Sequence, residues 1–152
     1  MAFLTPELRL ALRANERAAR LARAHGRTLD PAPLVKFFNP HGLATWLATD
    51  LDADGDTMSG LVDLGFGCPD YGRFSVRALA ELRLPLGRFI VRDIGFISRL
   101  PLSIWADAAR AAGSILWVPQ MLRPAAIPSR ACSQSPPTSK PQRSPDDGIA
   151  HP

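Results

Sequence analysis

The sequence has little of what small enzymes and secreted domains are usually built around. Only two cysteines and three histidines occur in its 152 residues. Cys68 lies in a glycine-rich turn and Cys132 near the C-terminus, so no disulfide framework can be assembled. Neither cysteine has a second Cys or a His at metal-ligand spacing, and no metal or cofactor is expected. Apolar runs are short and broken by charge or proline, well below the roughly 20 residues that span a bilayer. No membrane partner is expected. The opening residues Met1 to Glu7 lack the basic stretch and apolar core of a secretory signal, and Glu7 and Glu16 count against a mitochondrial presequence. A cytoplasmic chain with reduced thiols is the resulting expectation. Catalytic groups are scarce too: before residue 119 the histidines are His25 and His41, and no Gly-x-Ser-x-Gly elbow accompanies them.

The net charge of +4 hints at nucleic acid until it is divided along the chain. Residues 1–27 hold six arginines against two glutamates, residues 28–118 hold eight basic and ten acidic side chains, and residues 119–152 hold four against two. The basicity lives on the first segment and the tail, while the body between is slightly acidic. A domain-wide basic groove is therefore not indicated.

Helix and strand signals are local and readable. Thr5 is placed to cap a helix whose first position is Pro6, where a missing N–H costs nothing, and Gly26 is placed to stop it. Leu8, Ala11, Leu12, Asn15, Ala18, Ala19 and Ala22 share one face of that helix, and Arg9, Arg13, Arg17, Arg20 and Arg23 cluster opposite. Leu34 to Phe38 reads as a strand, and Leu43–Asp50 with Met58–Phe66 as a hairpin closed by the turn around Asp52 to Asp56. The segment from Gly65 to Gly72 is turn chemistry throughout, followed by a short strand near Arg73-Phe74. A helix capped by Ser75 follows, with Val76, Leu79 and Leu82 as its buried face. Arg88 to Val91 predicts a further strand, and Ile94 to Ile97 a weaker one. A last helix runs from Leu102 to Ala112, with Ile104, Trp105, Ala108 and Ala112 at helical spacing and Gly113 as its stop. Ile115 to Val118 is expected to dock as a final strand.

The expected fold is α+β: a small antiparallel or mixed sheet of four to five strands packed with three helices, forming one domain over residues 1–118. From Pro119 onward eight of fifteen prolines fall in 34 residues, with five serines. Such a segment buries too little apolar surface to offset the entropy of ordering it, so 119–152 is expected to be a disordered tail.

Five blocks of the sequence form a familiar order: Leu4-Thr5-Pro6-Glu7-Leu8, Val35-Lys36-Phe37-Phe38-Asn39-Pro40, Ala44-Thr45-Trp46-Leu47, Gly60-Leu61-Val62-Asp63-Leu64-Gly65-Phe66-Gly67, and Leu102-Ser103 through Ala111-Ala112-Gly113. Together they resemble the bacterial family known as domain of unknown function 2958, over roughly residues 3–115. Members of that family are typically encoded on plasmids and integrated mobile elements, so the resemblance implies a cytoplasmic bacterial protein in a mobile-element context. It supplies no activity, ligand or catalytic residue. The tail has no counterpart in the family, and is either an extension peculiar to this chain or the product of an altered reading frame.

Individual motifs weaken when weighed against simpler readings. Asp50-Leu51-Asp52-Ala53-Asp54-Gly55-Asp56 matches the first half of a calcium-binding EF-hand loop, but position 12 is Leu61 instead of a bidentate Glu and the flanks are strands. An acidic hairpin turn is the better reading. Gly65-x-Gly67 follows a strand as a dinucleotide loop would, yet the third glycine position is Asp70 and Pro69 blocks a helix start. His41 reads as a turn residue, Cys68 as a small thiol without a neighbouring base, and Trp46 and Trp105 as core.

Two functional classes remain. A non-enzymatic accessory protein would bind a protein or nucleic-acid partner through Arg9, Arg13, Arg17 and Arg20 of the first helix. A small enzyme or ligand-binding domain would place its site at the glycine-rich turn, near Asp63, Cys68, Asp70 and Tyr71. The missing catalytic set, the basic helix and the basic tail favour the first.

Overall fold

A computed structural model of the chain describes residues 3–122. The expected tail beyond residue 122, Cys132 included, lies outside the described residues. The sheet is a meander. Strands β1 (Val35–Phe38), β2 (Thr45–Leu51), β3 (Thr57–Asp63) and β4 (Asp70–Ser75) pair antiparallel in sequence, and the two-residue strand β7 (Val91–Arg92) joins the outer side of β1. The sheet order is thus β4-β3-β2-β1-β7, with β5 (Arg83–Leu84) and β6 (Arg88–Phe89) forming a separate small hairpin. Helices α1 (Pro6–Ala24), α2 (Val76–Glu81), α3 (Leu102–Ala112) and α4 (Val118–Met121) complete the α+β fold.

Each face of the sheet carries its own core, because alternating residues of a strand point to opposite sides. One cluster gathers Phe37, Trp46, Ala48 and Met58 with Leu4 and Leu12 of the α1 segment. The other sets Leu47 and Leu61 against Leu102, Trp105, Ala106 and Ala109 of α3, with Ile115 and Val118 behind them. Gly60 leaves no room for a side chain between β2 and β3: a Cβ there would stand 1.7 Å from the Leu47 carbonyl oxygen. A bulge between Ala48 and Asp50 leaves the Thr49 carbonyl off the regular ladder, and Asn15 of α1 donates to it at 2.8 Å. This gives the half-buried Asn15 a structural partner.

The local signals in the sequence hold where they are strongest. Thr5 accepts from the Leu8 N–H, Ser75 accepts from the Ala78 N–H, and Gly113 ends α3 in the left-handed region. Helix α3 has Pro101 at its N-cap position, which offers no side-chain acceptor. Asp30 supplies one from 73 residues away, accepting from the Ser103 N–H and hydroxyl.

Other expectations are corrected. Asp70 to Gly72 belong to β4, which is a six-residue strand instead of a stub near Arg73, because β3 offers a full ladder of partners from Val62 to Thr57. Arg88 to Val91 divides between two sheets around the buried Ile90, and Ile94 to Ile97 form no strand. Leu82 is exposed, since α2 stops at Glu81 and the chain turns outward. The buried stripe of α3 is Leu102, Trp105, Ala106 and Ala109, while Ile104 faces out. Ile115 to Val118 do dock, but as a 3-10 turn capped by Ser114 that leads into α4, a fourth helix that the sequence did not suggest. Helical spacing buries both Ile115 and Val118 against α3.

Candidate functional site

The residues singled out at the glycine-rich turn separate into two groups. Asp63, the last residue of β3, is fully buried. One carboxylate oxygen accepts from the Gly65 N–H at 2.8 Å and the other from the Ile115 N–H at 2.9 Å. It clamps the turn after β3 to the segment after α3 and has no face open to a ligand. The glycine pair likewise serves the turn: Gly65 and Gly67 both have positive φ.

Cys68, Asp70 and Tyr71 do come together. They line a groove of about 300 Å³ that runs from Val62 and Leu64 past Phe66 to Gly72 and Arg73. Phe66 is 82% exposed at its rim, and the Cys68 thiol is exposed. Arg110 of α3 completes the arrangement. Its guanidinium donates to the Asp70 carboxylate at 2.6 Å and lies 5.2 Å from the centre of the Tyr71 ring. The ion pair holds Asp70 below the ordinary carboxylate range, helped by the Tyr71 N–H, and raises Arg110 in turn. Desolvation pushes the Tyr71 phenol up, against the pull of the Arg110 charge. A carboxylate so occupied is a poor general base, and among the described residues the lining contains no imidazole to activate the thiol. What the groove offers is apolar surface beside an exposed strand.

The arginines of α1 do not form one free stripe. Arg9 donates to the Gly55 carbonyl and Arg13 to the Leu51 carbonyl, each at 2.8 Å, tying the helix to both ends of the β2–β3 turn. Arg13 and Arg20 also share the Glu16 carboxylate. Arg17 has no ion-pair partner among the described residues.

The acidic turn is a hairpin, as its sequence suggested, and its carboxylates diverge. Asp54 accepts from the Thr57 hydroxyl and from the amides of Thr57 and Asp56, which holds it at about 2. Asp56 reaches across to the Ser75 hydroxyl and the Arg77 N–H and is lowered by them. Asp52 pairs with Arg73, and half-buried Asp50 is pushed up by desolvation. Among the described residues no three acidic, cysteine or histidine side chains are grouped to hold a metal ion. His41 sits in the turn after β1, its N–H donating to the Asn39 side chain.

Sequence reasoning missed a second cavity altogether. It measures about 370 Å³ and lies between β1, the 93–100 loop and α3, lined among others by Lys36, Phe96, Arg99, Leu100, Trp105 and Leu122. The only signal for it was negative, an apolar stretch at Ile94 to Ile97 that sat poorly as a strand.

No helix of the described residues is long and apolar enough to cross a membrane. No curated protein and no solved structure matches the chain. A family model does, over residues 3–116, which takes in every sheet strand, α3 and the Asp63 clamp on Ile115. By that match the chain belongs to the protein family of unknown function DUF2958.

Proposed function

We propose that the chain is a non-enzymatic accessory protein that binds a protein partner, the partner adding an extended segment to the open edge of β4. The observation that carries this reading is the contrast between the two sheet edges. β7 is only two residues long, too short to template another strand. β4 is six residues long, pairs on one side only among the described residues, and carries neither proline nor bulge, its charged residues being Asp70 and Arg73. Strand addition supplies main-chain hydrogen bonds, and a pocket beside the edge supplies specificity. The groove at Leu64, Phe66 and Cys68 is such a pocket. A cytoplasmic bacterial setting, on a plasmid or integrated element, accords with the family's usual context.

The outward-facing amides can be assigned. The Tyr71 N–H donates to the Asp70 carboxylate instead of to β3, and the Val76 N–H donates inward to Asp56. Hydrogen-bonded and non-bonded residues alternate along an antiparallel ladder, so the odd-numbered residues of β4 point their amides outward. Arg73→Pro removes one such donor without touching the β3 ladder, and Arg73→Ala removes only the side chain. The test attaches a thiol-directed photo-crosslinker to Cys68 in a Cys132→Ser background and irradiates it in extract of the host. One adduct of defined mass is expected with the parent and Arg73→Ala proteins, and its loss with Arg73→Pro. An adduct that survives Arg73→Pro, or no adduct at all, would overturn the proposal.

A further inference from the structure

The cavity beside the 93–100 loop is independent of the β4 edge, and its chemistry is more selective. Its walls are apolar: Phe96 and Trp105 meet as tilted rings with centroids 5.8 Å apart, and Leu100 and Leu122 contribute aliphatic surface. Its charged groups are unequal in availability. Asp93 is committed to the loop, one oxygen accepting from the Gly95 N–H at 3.1 Å and the other facing the Lys36 ammonium at 3.8 Å. Arg99 also lines the cavity, is exposed, and has no carboxylate partner among the described residues. Among the described residues the lining therefore combines a cationic side chain that has no carboxylate partner with the aromatic surface of Phe96 and Trp105.

The loop is braced, not loose. The Asp93 N–H donates to the Lys36 carbonyl at 2.9 Å and the Phe96 N–H to the Asp93 carbonyl at 3.2 Å, closing a turn at its start. Near its end the Trp105 indole N–H donates to the Ser98 hydroxyl at 2.8 Å, and that hydroxyl also accepts from the Leu100 N–H. Walls held in this way lose little freedom when a ligand enters, which favours binding. Ile97, 87% exposed at the rim, gains cover if an apolar body is seated beside it. The volume of about 370 Å³ stands at the lower end for small-molecule pockets, with room for about a dozen non-hydrogen atoms at about 30 Å³ each.

We infer that this cavity binds a small apolar carboxylate, its hydrocarbon or aromatic body against Phe96, Leu100 and Trp105 and its carboxylate on Arg99. Guanidinium is the side chain best matched to a carboxylate, since its donors form a planar fork. A neutral analogue keeps the apolar contacts and loses the charge-assisted bond, so the two should differ about tenfold or more in affinity.

The experiment follows backbone and indole N–H resonances by NMR while the full chain is titrated with 4-phenylbutanoate and, separately, with 4-phenylbutanamide. The expected result is saturable shifts at Phe96, Ser98, Arg99 and the Trp105 indole, with the acid binding about tenfold tighter. Arg99→Gln should reduce the acid to the affinity of the amide, whereas Arg17→Gln, the same charge loss on α1, should leave it unchanged. Leu100→Trp should fill the cavity and abolish both. Because Arg99 is a surface residue, the Arg99→Gln protein is expected to keep the parent spectrum. Equal affinities for acid and amide, shifts centred elsewhere, or no binding at millimolar concentration would each overturn the assignment.

Discussion

Asp63 offers the sharpest separation between a structural and a ligand-binding reading of the glycine-rich turn. Its buried carboxylate accepts two main-chain N–H groups that lie 50 residues apart in sequence, at Gly65 and Ile115. A hydrogen bond to a charged group contributes about 1.5–3 kcal/mol, and a buried N–H left without a partner costs about 1–3 kcal/mol. Asp63→Ala removes both acceptors and should cost about 3–5 kcal/mol. Asp63→Asn keeps one acceptor oxygen but sets an amide NH₂ against the second N–H donor, for about 2–3 kcal/mol. For a body of about 120 residues each kcal/mol shifts the melting point by about 3–5 °C. The Asn variant should therefore melt about 10 °C lower and the Ala variant about 15 °C lower. Thermal melts followed by circular dichroism measure this. Hydrogen exchange should show where it acts, with lost protection at Ile115 before the α1 side of the sheet. An Asn variant within about 0.5 kcal/mol of the parent would refute the clamp and return Asp63 to the list of residues free to meet a ligand.

Gly60→Ala should abolish or cripple folding, by at least about 3 kcal/mol, because its Cβ would collide with the Leu47 main chain and drive β2 from β3; a soluble variant with an unchanged urea midpoint would contradict that close approach. Asp54 is held at about 2 against an ordinary value of 3.8. Its contribution is therefore complete above about pH 4 and lost as pH falls toward 2, so the melting point should fall over that interval and fall less in Asp54→Asn. Asp50, pushed up by burial, acts with the opposite sign, since its contribution is present at low pH and lost as pH rises through its folded value. Truncation after Leu122 should leave the melting transition unchanged, whereas truncation after Val118 removes α4 and the partly buried Leu122 and should lower it by about 1 kcal/mol; aggregation of the 1–122 protein would show that the body extends further.

The parts of this fold that were legible in the sequence are those fixed within a few residues. Thr5, Ser75 and Gly113 mark helix ends because a cap needs only its own turn, and Asp54-Gly55 marks the hairpin because a positive φ is cheap there. Helix α3 shows where that logic stops. Its alanines permit two helical stripes that share Trp105, one through Ile104, Ala108 and Ala112 and one through Leu102, Ala106 and Ala109. The sheet takes the second, where small side chains let the helix sit close over Leu47 and Leu61. The groove was half legible: turn residues pointed to Cys68, Asp70 and Tyr71, but their partner Arg110 lies 40 residues on. In α1 the periodicity gathered the arginines opposite the apolar face, yet the Arg13 side chain is mostly buried, and Arg9 and Arg13 are spent on carbonyls of a turn that only the folded chain brings near.

Both proposed binding regions depend on the seat of α3. The helix carries Trp105 to the cavity and Arg110 to Asp70 and Tyr71 of β4, and its position over the sheet is fixed from both ends. Asp30 and Pro31 hold its N-terminal amides, and Asp63 holds the chain just after its C-terminus through Ile115. Arg73→Pro and Arg99→Gln each act on one region alone. A change that loosens the seat must reach both, by moving the indole from Ser98 and the guanidinium from Asp70 together. Asp63→Asn, compared with those two variants in the crosslinking and titration experiments, therefore separates residues that touch a partner from the residue that positions them. Loss of both signals with the fold retained would mark Asp63 as a positioning residue for either region, and loss of one alone would show that the groove and the cavity are set independently.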